Sequence, residues 1–189
     1  RFGELLRRQA LLTPDDAREL ERLYDSEISF TDKHVGRILS RLRELELDSQ
    51  TLMVVTADHG EEFLDHGRLG HTKTLYDEVI AVPLLVRWPG GAPGVVAEPV
   101  ALLDVAPTIL DIAGVPIPEG PKPREPVSED ETAPWPGRSL VPVLTGEEIG
   151  TTGTALVEDD QDGYGLRLRT LVTQRYRLTA YSGQSYGEL

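Results

Sequence analysis

The run Thr51-Leu52-Met53-Val54-Val55-Thr56-Ala57 limits what this chain can fold into more than any other stretch. It is short, mostly apolar and rich in β-branched residues. A strand of that kind has both faces covered, as in a parallel sheet flanked by helices. The turn residues Asp48-Ser49-Gln50 precede it and Asp58-His59-Gly60 follow it. Open α/β sheets place their ligands at the carboxyl ends of such strands. A second apolar run, Val82 to Trp88, stops at Pro89-Gly90-Gly91 and reads as a second strand. The expected fold class is therefore α/β, with a mostly parallel sheet flanked by helices.

The helical signals lie on either side. Thr13-Pro14-Asp15-Asp16 is a helix start: Thr13 can cap, Pro14 suits the first position and Asp16 can complete a capping box. Leu20, Leu23, Tyr24, Ile28, Val35, Ile38, Leu39, Leu42 and Leu45 follow at spacings of three, four and seven, placing most of them on one face. They predict a helix from Pro14 to Leu45, with room for a break near Ser29-Phe30-Thr31, and a shorter one from Phe2 to Leu11. Val100 to Leu103 reads as a short strand. Asp104 reads as the cap of a helix from Val105 to Ala113, ended by Gly114.

Beyond Gly114 the character changes. Seven prolines between residues 115 and 137 exclude a helix or a central strand, so this is a loop or linker. Thr154 to Glu158, Leu166 to Val172 and Tyr176 to Tyr181 read as strands with no helix between them. They predict a small antiparallel sheet in the tail.

Lys and Arg number 19 against 32 Asp and Glu, which excludes general binding to a nucleic-acid backbone. An anionic ester must then be held by a few local cations or a metal. No apolar run approaches the ~18 residues of a membrane helix. The opening Arg1-Phe2-Gly3-Glu4 carries no leader pattern and reads as the interior of a longer chain. Cysteine is absent, so neither a thiolate metal site nor a cysteine-derived nucleophile lies in these residues.

The chemistry concentrates between Thr56 and Glu78. Three of the four histidines, His59, His66 and His71, fall there among acidic residues, glycines and Lys73. Asp58 beside His59 pairs a carboxylate oxygen with an imidazole, a donor set that suits a divalent cation. Two ligands are too few for a closed site, so others must come from elsewhere. Histidines in polar loops are often only solvated, and pattern alone leaves that reading standing beside the metal site.

The same residues resemble the metal-binding signature of the sulfatases, within the alkaline phosphatase superfamily. The likeness runs through Thr56-Ala57-Asp58-His59-Gly60-Glu61, Asp65-His66-Gly67, Gly70-His71, Thr74-Leu75-Tyr76-Asp77-Glu78 and Val82-Pro83-Leu84-Leu85-Val86. It extends to Tyr24-Asp25-Ser26-Glu27-Ile28, to Leu103 through Gly114, to Gly137-Arg138-Ser139-Leu140 and to the closing Tyr186-Gly187-Glu188-Leu189. The resemblance implies an alkaline-phosphatase-like fold. Residues 1–114 would be the C-terminal portion of its α/β catalytic domain, 115–137 a proline-rich linker, and 138–189 a small, truncated antiparallel β subdomain.

It also implies roles. Asp58 and His59 would bind one divalent cation, calcium in the family pattern, with manganese or zinc left open by the imidazole. His71 stands where many members have a lysine that contacts sulfate. It would bind the ester anion or protonate the leaving oxygen, with metal ligation as the other use of a neutral ring. Lys73, two residues on, would supply fixed positive charge, or is simply solvated. His66 is expected to pack or to hydrogen-bond a ligand residue. The nucleophile, a formylglycine made from Cys or Ser in a Cys/Ser-x-Pro/Ala-x-Arg motif, has no counterpart here. The expected activity is thus that of a sulfuric ester hydrolase acting on a small-molecule or glycan sulfate, with this portion alone inactive. Phosphodiester or phosphonate monoester hydrolysis, phosphoethanolamine transfer, and a non-catalytic binding module are the rival readings. Family members are often periplasmic or secreted; compartment and oligomeric state stay open.

Overall fold

The computed structural model describes residues 12–71, 74–118, 137–147, 154–161, 166–181 and 187–188. Two compact units divide the chain, Arg1–Pro89 and Gly90–Leu189.

The first unit opens with helix α1 (Pro14–Glu44). Its start is the capping box read from the sequence: the Thr13 hydroxyl accepts from the Asp16 amide, and Asp16 accepts from the Thr13 amide at 2.8 Å. Asp15 and Asp16 in the first turn and Arg41 and Arg43 in the last complement the helix dipole. The helix is unbroken across Ser29-Phe30-Thr31; Ser26 and Ser29 return their hydroxyls to the carbonyls of Leu23 and Asp25 and leave the ladder continuous. Of its apolar stripe only part is covered: Ile28 and Ile38 are exposed, and Ala17 is the one buried residue of the helix. The predicted helix from Phe2 to Leu11 lies outside the described residues.

Strands β1 (Met53–Thr56) and β4 (Leu84–Arg87) pair with Val54 opposite Val86 and Val55 opposite Leu85. The pair is antiparallel, and so is every strand pairing among the described residues. The mostly parallel sheet expected from the apolar runs is thus not found among them. The reason lies in the excursion between the strands. The Gly60 amide donates to the Val79 carbonyl at 2.7 Å, which pins the excursion shut near its base. Ile80 to Pro83 then lead straight into β4. Four residues reach ~13 Å, about the length of β1 itself, whereas a parallel return needs a crossover of a dozen or more. Nor is β1 covered on both faces: Val55 is 41% and Leu85 61% exposed.

The excursion holds a hairpin of β2 (Glu62–Phe63) and β3 (Leu69–Gly70), with Glu62 opposite Gly70. Asp65-His66-Gly67 forms its turn. Leu64 and Gly67 take positive φ there, the Leu64 amide donates to the Arg68 carbonyl, and the Phe63 amide donates to the Asp65 carboxylate. Phe63 meets Tyr24 of α1 edge to face at 5.4 Å, tying hairpin to helix. A single helical turn, α2 (Asp77–Ile80), closes the loop and buries Val79.

In the second unit Val100 to Leu103 is not a strand. Leu102–Asp104 is a 3₁₀ turn leading into α3 (Val105–Ile112). Asp104 does not cap α3 with its side chain. Its carboxylate reaches back to the Ala101 amide and across to the Arg138 amide, each at 2.9 Å. The Thr108 hydroxyl accepts from the Leu140 amide at 2.8 Å, and Ser139 bonds Asp111. Gly137 lies so close to the Leu103 carbonyl that any Cβ would overlap it. The two segments singled out as motifs, Leu103 to Gly114 and Gly137 to Leu140, are therefore two halves of one hydrogen-bonded staple. The short helix α4 (Val141–Leu144) follows.

The tail forms the antiparallel sheet its sequence predicts, with strands β5 (Thr154–Gln161), β6 (Leu166–Thr173), β7 (Arg177–Tyr181) and β8 (Gly187–Glu188) in that order. Ala155 and Leu168 are buried in it, and Thr170 and Thr179, opposite one another, share a buried hydroxyl–hydroxyl bond of 2.9 Å.

Candidate functional site

The end of β1 delivers Asp58 and His59 to the base of the excursion. Asp58 is exposed, accepts from the His59 amide at 3.0 Å, and has its other oxygen 3.7 Å from His59 Nε2. The two side chains therefore converge. His59 is oriented by its own loop: Nδ1 lies 2.9 Å from the Gly60 carbonyl. A carbonyl can only accept, so the ring proton sits on Nδ1 and the lone pair of Nε2 is left for a cation.

The hairpin brings His71 back to this point. Its ring stacks on His59 with centroids 3.8 Å apart. Nδ1 of His71 lies 2.9 Å from a carboxylate oxygen of Glu61, which fixes the His71 tautomer in the same way and leaves its Nε2 for exchange. The other oxygen of Glu61 is buried without a hydrogen-bond partner. His59, Glu61 and His71 each offer a ligand atom within 4.8 Å of the others. Carboxylate and imidazole donors in contact, with two ring nitrogens free and one carboxylate oxygen unsatisfied, fit a small divalent cation. Asp58 adds a further oxygen at the rim.

Of the residues predicted to act, Asp58, His59 and His71 are thus brought together, and Lys73 lies outside the described residues. Glu61 was not predicted as a site residue. The signal was present in the run Asp58-His59-Gly60-Glu61, but its partner is ten residues away, across the hairpin. His66 is held apart from this cluster. It stacks flat on Tyr76 at 3.6 Å and bonds Glu78 at 2.5 Å.

Gly60 makes the close approach possible. A Cβ there would overlap the Glu78 carbonyl oxygen and stand 3.0 Å from its carbon. A side chain at this point would push α2 off the strand end.

A family model described as Sulfatase matches residues 8–115. Choline-sulfatase of Rhizobium meliloti (strain 1021) is 33% identical over 138 residues, covering 72% of this chain and 24% of that protein. Human arylsulfatase K is 34% identical over 108 residues, 57% of this chain and 20% of its own length. The chain thus spans about a quarter of the curated relatives it matches. Among solved structures, a 2-O GAG sulfatase superposes with a TM-score of 0.79 over 97% of this chain and 38% of that one, at 23% identity. A phosphonate monoester hydrolase from Silicibacter pomeroyi superposes with a TM-score of 0.65 at 33% identity, over 79% of this chain and 30% of that one.

Proposed function

The chain belongs to the sulfatase family, and from that premise we propose that the intact protein is a metal-dependent hydrolase of sulfuric esters to which these residues supply one wall of the active site. One observation carries the reading. Asp58, His59, Glu61 and His71 meet at the carboxyl end of β1, with both rings oriented through Nδ1. The isolated chain is proposed to be inactive, since the formylglycine that the family pattern calls for has no precursor in it.

Asp58 and His59 would hold a divalent cation, through a carboxylate oxygen and Nε2, and that cation would supply charge compensation for the sulfuryl group being transferred. Calcium is the family expectation; an imidazole in the set favours manganese or zinc more than an all-oxygen site would. His71 then acts on the leaving group. As the S–O bond to the departing oxygen breaks, the doubly protonated form of the His71 ring would give that oxygen its Nε2 proton and return to the Nδ1–H form that Glu61 holds. Lys73 supplies a fixed positive charge to the sulfuryl oxygens. The substrate class is a small-molecule or glycan sulfate ester.

The likeness to phosphonate monoester hydrolase favours a second reading, hydrolysis of a phosphonate or phosphate ester by the same residues. An aryl sulfate, an aryl phosphodiester and an aryl phosphonate monoester, each assayed with the intact protein, separate the two. The sulfate should give the highest kcat/KM, His71→Ala should lower kcat by roughly 10²–10⁴, and Asp58→Asn should lose metal. A phosphonate turned over faster than the sulfate establishes the second reading. No turnover of any ester, with metal still bound, would leave a binding module.

A further inference from the structure

Glu61 and Glu62 are adjacent, and side chains alternate along an extended chain. Glu61 turns to His71. Glu62 turns the other way, into a second cluster that the proposed sulfatase chemistry does not use. Among the described residues of the unit it is the most buried large side chain, 1% exposed. The Thr74 hydroxyl donates to one of its oxygens at 2.6 Å, and the other oxygen is buried with no partner. His66 from the hairpin turn and Glu78 from α2 approach the same point. The three residues each offer a ligand atom within 4.8 Å of the others.

We propose that Glu62, His66 and Glu78 form a second divalent-cation site, specific for an ion of the zinc class. Two observations carry this independently: the convergence of three metal-ligating side chains from three elements, and the unsatisfied oxygen of the buried carboxylate at its floor. The charges point the same way. Two carboxylates face a single imidazole, and among the described residues no lysine or arginine pairs with either. One protonated histidine leaves a negative charge over; a dication with neutral His66 balances both. Two carboxylate oxygens and one imidazole nitrogen are donors that zinc takes, and three of them leave a fourth tetrahedral position open. Calcium demands six to eight oxygens, more than this cluster offers. Thr74 acts behind the ligands by fixing the Glu62 carboxylate. His66 and Glu78 are partly exposed, which gives the ion an entry path. A cation here would clasp the hairpin turn to α2 across the base of the catalytic loop.

The test is equilibrium dialysis of the intact protein against Zn²⁺ in a His59→Gln/His71→Gln background, which removes both imidazoles of the first cluster. Its result is then independent of whether the protein hydrolyses sulfate. One equivalent of zinc should remain bound. Glu62→Gln and, separately, His66→Gln should each abolish it, while Thr74→Val should weaken it by about 10–100-fold. Glu62→Gln keeps the size of a buried group. His66→Gln changes a half-exposed one and guards against a folding failure in the first. No zinc in the background protein overturns the proposal and leaves Glu62 as a buried side chain held by Thr74 alone. Zinc that survives both single substitutions overturns it too.

Discussion

Replacing Gly60 with alanine tests how tightly the strand end and the loop that carries His71 are coupled. Gly60 does not sit at positive φ, so an alanine there suffers no backbone penalty and the cost is steric alone. The added carbon would overlap the Glu78 carbonyl oxygen, stand 3.0 Å from the Glu78 carbon and 3.5 Å from the Val79 Cα. All three atoms are backbone, so no side chain can rotate out of the way. Either α2 moves, although Val79 is 4% exposed and packed in place, or the 2.7 Å bond from the Gly60 amide to the Val79 carbonyl is lost. Overpacking of this kind costs about 1–3 kcal/mol, and a broken backbone hydrogen bond about 0.5–1.5 kcal/mol. Where both occur the cost is about 1.5–4.5 kcal/mol, read as a lower urea midpoint of the intact protein at unchanged m-value. Gly36→Ala is the matched control: its Cβ meets nothing within 4 Å in the middle of α1. It should stabilise by up to about 1 kcal/mol through helix propensity. A Gly60→Ala protein within about 0.5 kcal/mol of the parent, in the same assay that resolves the Gly36→Ala gain, refutes the account of the pinned loop.

Asp104→Ala strips both the Ala101 and Arg138 amides of their acceptor in a buried place, and should destabilise the unit by roughly 2–6 kcal/mol, at 1–3 kcal/mol for each amide left unsatisfied; a change under about 1 kcal/mol by thermal unfolding would show that water replaces the carboxylate. The hydroxyl and amide of Thr13 hold the Asp16 carboxyl below its ordinary value of 3.8. A depressed carboxylate contributes stability that is present above the unfolded value and lost as pH falls through the folded one. The start of α1 should therefore keep its cap down to about pH 4 and lose it below. A carbon-detected titration of Asp16 at or above 3.8 would contradict this.

Local chemistry was legible in the sequence; coverage and pairing were not. Thr13, Pro14 and Asp16 announced the start of α1 because a capping box is complete within four residues. The tail strands were legible for the same reason, being short apolar runs broken by turns. The direction of β4 against β1 depends instead on the bond between Gly60 and Val79, nineteen residues apart in sequence, and no periodicity encodes it. Exposure escaped for a similar reason: an apolar run states what a strand can bury, whereas the neighbours decide what it does bury, and this chain spans about a quarter of the relatives it matches. Asp104 looked like a helix cap because an acid before an apolar helix usually is one. Its actual partner, Arg138, lies across the proline-rich stretch.

The hairpin register decides which acid serves which histidine. Glu61 and Glu62 are chemically alike, and nothing in their identity assigns one to His71 and the other to His66. The assignment comes from pairing Glu62 with Gly70 and Phe63 with Leu69, which sends successive side chains to opposite sides. A slip of one residue would exchange the two carboxylates and turn Phe63 away from Tyr24. The aromatic contact with α1 therefore holds the site as well as the fold: it selects the register in which Glu61, already oriented toward His71, stands at the end of β1 beside His59. The long helix thus orders the candidate site by fixing, through one edge-to-face ring pair, the phase of a two-residue ladder.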